Sequence, residues 1–414
     1  MSTRRTTFAL AMALALIPAA EAAAQSEGAL PGKLRSAMRS AGASSGAYVE
    51  NADTGRAVFR SRHARPRILA SNVKLYTTTA ALARFGVAGR LATEVRGSGV
   101  LELDGTLRGN LYLVGGGDPT FGSRRFARRT YGAGGTVEEL AALLEKAGIA
   151  RVTGRVIGDE SRFDSRRGGP ESGFRISPFV GPLSGLAYNR GLASESGRSY
   201  QANPPAFAAA RLDSALARRD ISVKGAPKAG RAPADARVLA TVESPTMARL
   251  AVMTNKSSDN FFAEMLLKNL AAQAGARGTT AAGARLAARF ARRIGGRPSR
   301  LADGSGLSRG NRASPFRVAK LLLAMRKRDE FDPFFASLSI AGRDGTLGPR
   351  MRRGPARTRC RGKTGTLSNV SAVSGYCRAR SGETYAFSIL MNNVNPFGAR
   401  AIQDRMLQAI AGVR

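Results

Sequence analysis

Apolar positions along this 414-residue chain follow two alternating periods. Arg4 and Arg5 precede an apolar run from Phe8 to Ala20, and Ala20-Glu21-Ala22 and Ala22-Ala23-Ala24 offer small-residue cleavage sites. That is the layout of a secretory signal peptide over 1–24 rather than of a core helix. No later stretch reaches the ~20 apolar residues of a membrane span, so the expected product is exported, soluble and periplasmic or extracytoplasmic, with no transmembrane anchor after cleavage. The first helix-period stretch of the mature chain is Leu34 to Ala41. A hairpin follows, Gly46 to Glu50 and Ala57 to Phe59, about the turn residues 51–55. Past Pro66 the period predicts a helix over Ser71 to Phe85.

From Ala92 to Leu113 the alternation is that of strands, with Asp104-Gly105 as a hairpin turn and Gly115 to Pro119 as a loop. A helix over 136–147 hands on to a strand over 151–157, and a helix over 206–219 to Ile221-Ser222-Val223. This weak internal echo suggests two related units, each delivering an edge strand. Between them, 161–205 is rich in Gly, Ser and Pro and reads as a long surface excursion. After Ser244 the pattern gives helices over 246–253, 261–274, 281–294 and 315–326, then strands over 358–365, 371–380 and 385–392, and a closing helix over 399–410. Segregation of this kind predicts an α+β fold, an antiparallel sheet flanked by helices, formed by 25–90 with 244–414 and interrupted by an inserted α/β domain over 91–243.

The two cysteines bear on the final hairpin. If Ser368-Asn369 is a two-residue turn, facing residues have numbers summing to 737, and Cys360 and Cys377 satisfy that condition. A disulfide there fits an oxidising compartment and would contribute about 3 kcal/mol through loop closure; two buried free thiols are the alternative. The formal charge is +36. Nucleic acid is the usual partner of such a surface, but an exported chain meets anionic cell-envelope polymers instead, and compositional bias toward arginine is the plainer reading. Ten lysines and 55 arginines make up the 65 basic residues. A position that stays lysine here is informative, because arginine is effectively never deprotonated. Lys74 and Lys363 are two such positions.

Lys74 lies one helical turn after Ser71, so one face aims a hydroxyl and an amine at the same point. A serine–histidine triad would need His63, the sole histidine, and a zinc site lacks ligands; no metal or organic cofactor is implied. Lys74 is therefore the expected base for a Ser71 nucleophile, its ammonium disfavoured by burial and by the charge of Lys363. Gly365, in the strand of Lys363-Thr364-Gly365-Thr366, would let a ligand backbone approach closely.

Ala70-Ser71-Asn72-Val73-Lys74, Ser258-Asp259-Asn260, Asp303-Gly304-Ser305-Gly306-Leu307-Ser308-Arg309 and Lys363-Thr364-Gly365-Thr366 occur in that order, and Asn110 to Pro119 adds a further segment. Together they resemble the class C low-molecular-mass penicillin-binding proteins, D-alanyl-D-alanine carboxypeptidases and endopeptidases. Ser258 lies 187 positions beyond Ser71, in keeping with that family's large insertion. A further domain nested after Pro182 to Asn189 is expected to be missing or reduced. The resemblance implies a penicillin-binding-protein/β-lactamase-like fold and an acyl-enzyme on Ser71. Ser258 would relay protons, Asn260 would hold the lysine and the substrate amide, and Lys363, remaining charged, would bind the terminal carboxylate with Thr364 or Thr366. Asp159, Phe163 and Arg309 would line the cleft toward the stem peptide. Peptidoglycan stem peptides and β-lactams are the implied partners. A β-lactamase and a non-catalytic, basic wall-binding protein are the competing readings. The long insertion, the lack of a dedicated carboxylate base for deacylation and the intact lysines argue against them.

Overall fold

The computed structural model describes residues 27–414; the signal-peptide expectation lies outside them. Its main sheet has six antiparallel strands in the order Ser339–Ile340, Cys360–Leu367, Val370–Arg378, Thr384–Asn392, Ser45–Asn51, Ala57–Ser61. Strands from both ends of the chain thus meet in one sheet. The central strands are buried on both faces: Val370–Arg378 is buried throughout except at Arg378. Helices Leu30–Arg39 and Pro396–Ala411 pack against one face around Leu34, Phe387, Met406 and Leu407. Helices Val73–Phe85, Met247–Lys256, Asn260–Ala272, Thr280–Arg293 and Pro315–Met325 build the other core, around Tyr76, Phe262, Leu266 and Tyr376. A turn of two residues joins Leu367 to Val370, the register sets Cys360 opposite Cys377, and the two are joined in a disulfide.

The second sheet is mixed and drawn wholly from residues between Ala92 and Glu243. The reading of 151–157 as an edge strand is wrong: the strand runs over Arg151–Asp159 and lies inside the sheet. At nine residues it is long enough to pair in parallel with Leu111–Val114 and Thr106–Arg108 on one side and with Ser222–Ala229 on the other. The echo survives in another form, since the two strands it concerns are parallel neighbours. Two helices escaped the pattern, Arg124–Tyr131 and Phe331–Ser337. The first has Arg124, Arg125, Arg128 and Arg129 exposed, and Ser123 caps its start by accepting from the Phe126 N–H. The excursion 161–205 is irregular except for two single turns at Pro170–Ser172 and Asn189–Gly191 and its last two residues, which open the helix Pro204–Ala217. Among the described residues, no helix is long and apolar enough to cross a membrane.

Candidate active site

Ser71 precedes the α-helix rather than opening it. It sits in a single tight turn, Ala70–Asn72, that runs into Val73–Phe85. Ala70 has φ 46°, a left-handed conformation costly for a residue with a Cβ. Two glycines grip this turn. A Cβ on Gly306 would fall 1.9 Å from the Ala70 carbonyl oxygen, and one on Gly365 would fall 2.9 Å from both the Leu69 carbonyl oxygen and the Ser71 nitrogen. Gly365 is therefore required first by the close approach of the Ser71 turn, which replaces a ligand backbone as the reason for glycine there. Asn72 completes the clamp by donating to the Lys363 carbonyl at 3.1 Å.

Lys74 is fully buried and donates three hydrogen bonds: to Ser71 Oγ (3.1 Å), Asn260 Oδ1 (2.7 Å) and the Ser305 carbonyl (2.6 Å). Burial pulls its pKa down to about 8, against the opposing pull of Asp303, Asp259 and Glu264. A neutral amine keeps two hydrogens and gains a lone pair. Of the three partners, the Asn260 and Ser305 oxygens can only accept, so only the Ser71 hydroxyl can donate to that lone pair. Deprotonating Lys74 therefore turns Ser71 Oγ–H toward it, which is the alignment needed to activate the serine.

Ser258 lies between helices Met247–Lys256 and Asn260–Ala272 in a left-handed conformation, φ 60°. Asp259 caps the second helix by accepting from the Phe262 N–H and is clamped by Arg190 (2.6 and 3.2 Å), which fixes the corner. Ser258 Oγ accepts from Lys363 Nζ at 2.8 Å, and Lys363 also donates to the Thr364 carbonyl at 2.9 Å. One Lys363 hydrogen is left without a partner among the described residues. No carboxylate pairs with this fully buried amine. Burial, and then the charge of Lys74, push its pKa well below the ordinary lysine range, so the surroundings work against the charge that the family resemblance gives it. Beyond Gly362 the outer edge of this strand has no strand partner among the described residues, because Ser339–Ile340 pairs only with Gly362 and Arg361.

The other sequence-predicted residues lie outside this convergence. Thr364 donates its hydroxyl to Thr346 (2.6 Å), and Thr366 accepts from Arg400 (3.2 Å). Arg309 is exposed and donates to Asn369 and Ser368 at the tip of the Lys363 hairpin. Phe163 is completely buried in the helical core and offers no surface to a cleft. Asp159 is nearly buried, its two oxygens accepting from the Ser161 and Ala232 N–H groups. It borders a crevice of about 1160 Å³ whose lining includes none of the converging groups.

Sequence reasoning missed the floor of the site. Glu264, one helical turn after Asn260, accepts from the Gly304 (3.0 Å) and Ser305 (2.8 Å) N–H groups, and Asp303 accepts from Gly306 and Ser308. These carboxyls shape the turn whose Ser305 carbonyl receives Lys74. The i, i+4 spacing of Asn260 and Glu264 was the available signal.

Comparison with known proteins gives the chain relatives over most of its length. A D-alanyl-D-alanine carboxypeptidase of Actinomadura sp. (strain R39) is 29% identical, over 88% of this chain and 80% of the relative. Carboxypeptidase DacB of Mycolicibacterium smegmatis is 30% identical, over 86% of this chain and 77% of its own length. Among solved structures, penicillin binding protein 4 (dacB) of Haemophilus influenzae superposes with a TM-score of 0.75 at 21% identity, covering 90% of this chain and 97% of that one. The model of the D-Ala-D-Ala carboxypeptidase 3 (S13) family matches residues 34–196 and 190–413, and with nearly every described residue inside those two matches the chain belongs to that family.

Proposed function

We propose that this chain is a serine D-alanyl-D-alanine carboxypeptidase, exported to act on peptidoglycan stem peptides, with endopeptidase action on cross-links as a second activity of the same site. The observation that carries this reading is the pair of buried lysines, each on a different serine: Lys74 on Ser71 and Lys363 on Ser258. Lys74 takes the Ser71 proton as Oγ attacks the carbonyl of the penultimate D-alanine. The oxyanion is met by the Ser71 and Thr366 N–H groups, a type of donor pair whose members are each worth about 3 kcal/mol of barrier. Ser258 relays the proton from Lys74 to the departing D-alanine amine, which leaves Lys74 neutral again; water then adds to the acyl carbonyl, giving a proton to Lys74, which returns it to Ser71 Oγ as the acid departs. The unpartnered Lys363 hydrogen meets the substrate's terminal carboxylate, whose negative charge restores the ammonium that burial disfavours. Asn260 holds Lys74 and turns to the substrate amide when its present bond to the Phe179 carbonyl opens.

Residues 25–90 and 244–414 form the catalytic part in this reading and 91–243 the insertion. The short link 192–203 supports a nested domain that is missing or reduced, and the arginine-studded helix Arg124–Tyr131 favours docking on anionic envelope polymers. The test is intact-protein mass spectrometry with and without benzylpenicillin, beside Ser71→Ala. A penicilloyl adduct that persists for many minutes on the wild type only is the expected result. Penicillin destroyed without an adduct would mean a β-lactamase, and neither adduct nor turnover would leave a wall-binding protein.

A further inference from the structure

Glu264 and Asp303 are both fully buried behind Lys74, yet no step above uses either. Their hydrogen bonds differ. Asp303 spreads its bonds over both oxygens, Oδ1 accepting from Gly306 N–H (2.8 Å) and Asn311 Nδ2 (2.8 Å), Oδ2 from Ser308 N–H (2.6 Å). Glu264 takes both of its bonds on Oε1, from Gly304 and Ser305, and its Oε2 is sealed from solvent with no partner. Two carboxylates buried together do not both ionise readily, and the proton goes to the one whose charge is less well solvated by donors. Three donors across two oxygens stabilise an anion; a bare buried oxygen does not.

We propose that the two carboxyls divide the work behind Lys74: Glu264 is a neutral acid that positions the Gly304–Ser305 backbone, and Asp303 is the anion that keeps the lysine partly charged. The remaining groups around the pair fit this division. Burial holds both carboxyls above their ordinary range; the bonds from Ser305 oppose it at Glu264, and at Asp303 the donated bonds are joined by the charge of Lys74. Asp303 is also the largest electrostatic influence favouring the Lys74 ammonium. Glu171 faces the pair from the turn Pro170–Ser172 and adds negative charge, which further favours one proton in the cluster. Lys268, on the same helix as Glu264, forms its ion pair with Asp164 at 2.6 Å, and among the described residues no cation is paired with Glu264. The 304–305 peptide itself is held from both sides, its carbonyl by Thr77 Oγ1 (2.9 Å) and its N–H by Glu264. Both residues act through Lys74 and are positioning residues.

This inference rests on the reading of Lys74 as the base, so its test begins with a measurement that needs no activity. The infrared difference between wild type and Glu264→Gln at pH 7 should contain the carbonyl band of a protonated carboxylic acid. Asp118, buried and pushed up to about 7, contributes to both spectra and cancels. No such band in the difference would overturn the proposal. Second, the pH dependence of Ser71 acylation by a fluorescent penicillin should be nearly unchanged in Glu264→Gln, which keeps an accepting oxygen and carries no charge. In Asp303→Asn its rising limb should move about one unit lower, giving ~10-fold faster acylation on the acid side. A limb that moves in Glu264→Gln as far as in Asp303→Asn would reverse the assignment. Should Asp303→Asn disrupt its turn, the wild-type and Glu264→Gln comparison decides alone. A protonated-acid band with no acylation of the wild type would sink the role of Lys74 and leave the placement of the proton intact.

Discussion

Lys74 and Lys363 are equally buried, and they sit in opposite surroundings. On the helical side, Lys74 spends all three ammonium hydrogens on oxygen partners and has Asp303 and Asp259 within electrostatic reach. On the sheet side, Lys363 has a hydroxyl, one carbonyl and no carboxylate. Burial alone would drive both to the neutral form. The carboxylates hold Lys74 at about 8, where an amine is both available as a base and able to take a proton. Lys363 lacks that support, which in the proposed function an anion brought by the substrate would supply. Burial makes a lysine usable; its neighbours decide the use.

The largest effect should come from replacing Lys74 with arginine. The charge stays and the base is lost, so Ser71 acylation by penicillin should fall by about 1,000-fold; retention of more than a tenth of the rate would remove Lys74 from the chemistry. Lys363→Ala should cost about 100-fold in kcat/KM on peptides ending in D-alanine and little on the same peptides with an amide end, since the lost partner is a carboxylate. Equal losses on both substrates would make Lys363 a structural residue.

The smallest effect is on stability. Lys363→Met should stabilise the fold by about 2 kcal/mol at pH 7, and Lys74→Met by less, because removing Lys74 strands Asp303. The sign follows from linkage. A lysine whose folded pKa is depressed binds more protons unfolded than folded between the two pKa values. Wild-type stability therefore rises with pH across that window, and the advantage of Lys363→Met should disappear above the unfolded lysine pKa of about 10.4. Urea unfolding at pH 7 and at pH 11 reads this, and an unchanged difference at the two values would contradict it.

What the sequence disclosed was local. Ser71 and Lys74 share one turn, Ser258 and Asn260 flank one helix start, and Cys360 and Cys377 follow from a two-residue turn and strand register. What stayed hidden depended on distant contacts. The Ser305 carbonyl reaches Lys74 across 231 positions, and nothing in the Asp303 to Arg309 motif says which of its atoms points inward. Glu264 looked like an ordinary helix residue until its N–H partners on another segment were seen. Phe163, one of the site residues suggested by family resemblance, proved to be core, because an aromatic four positions past Asp159 packs under Lys268 and Gly117. The helix Arg124–Tyr131 buries Phe126, Ala127 and Tyr131, but its eight residues are too few for a repeating pattern to show.

The most direct test of the account is the single-turnover rate of Ser71 acylation by benzylpenicillin in the wild-type enzyme from pH 5.5 to 9.5. If Lys74 is the base, the rate climbs about tenfold per unit, bends near pH 8, where its pKa lies, and is then level. A rate that is flat between pH 6 and 9, or that bends in the carboxylate range, would mean that another group takes the Ser71 proton.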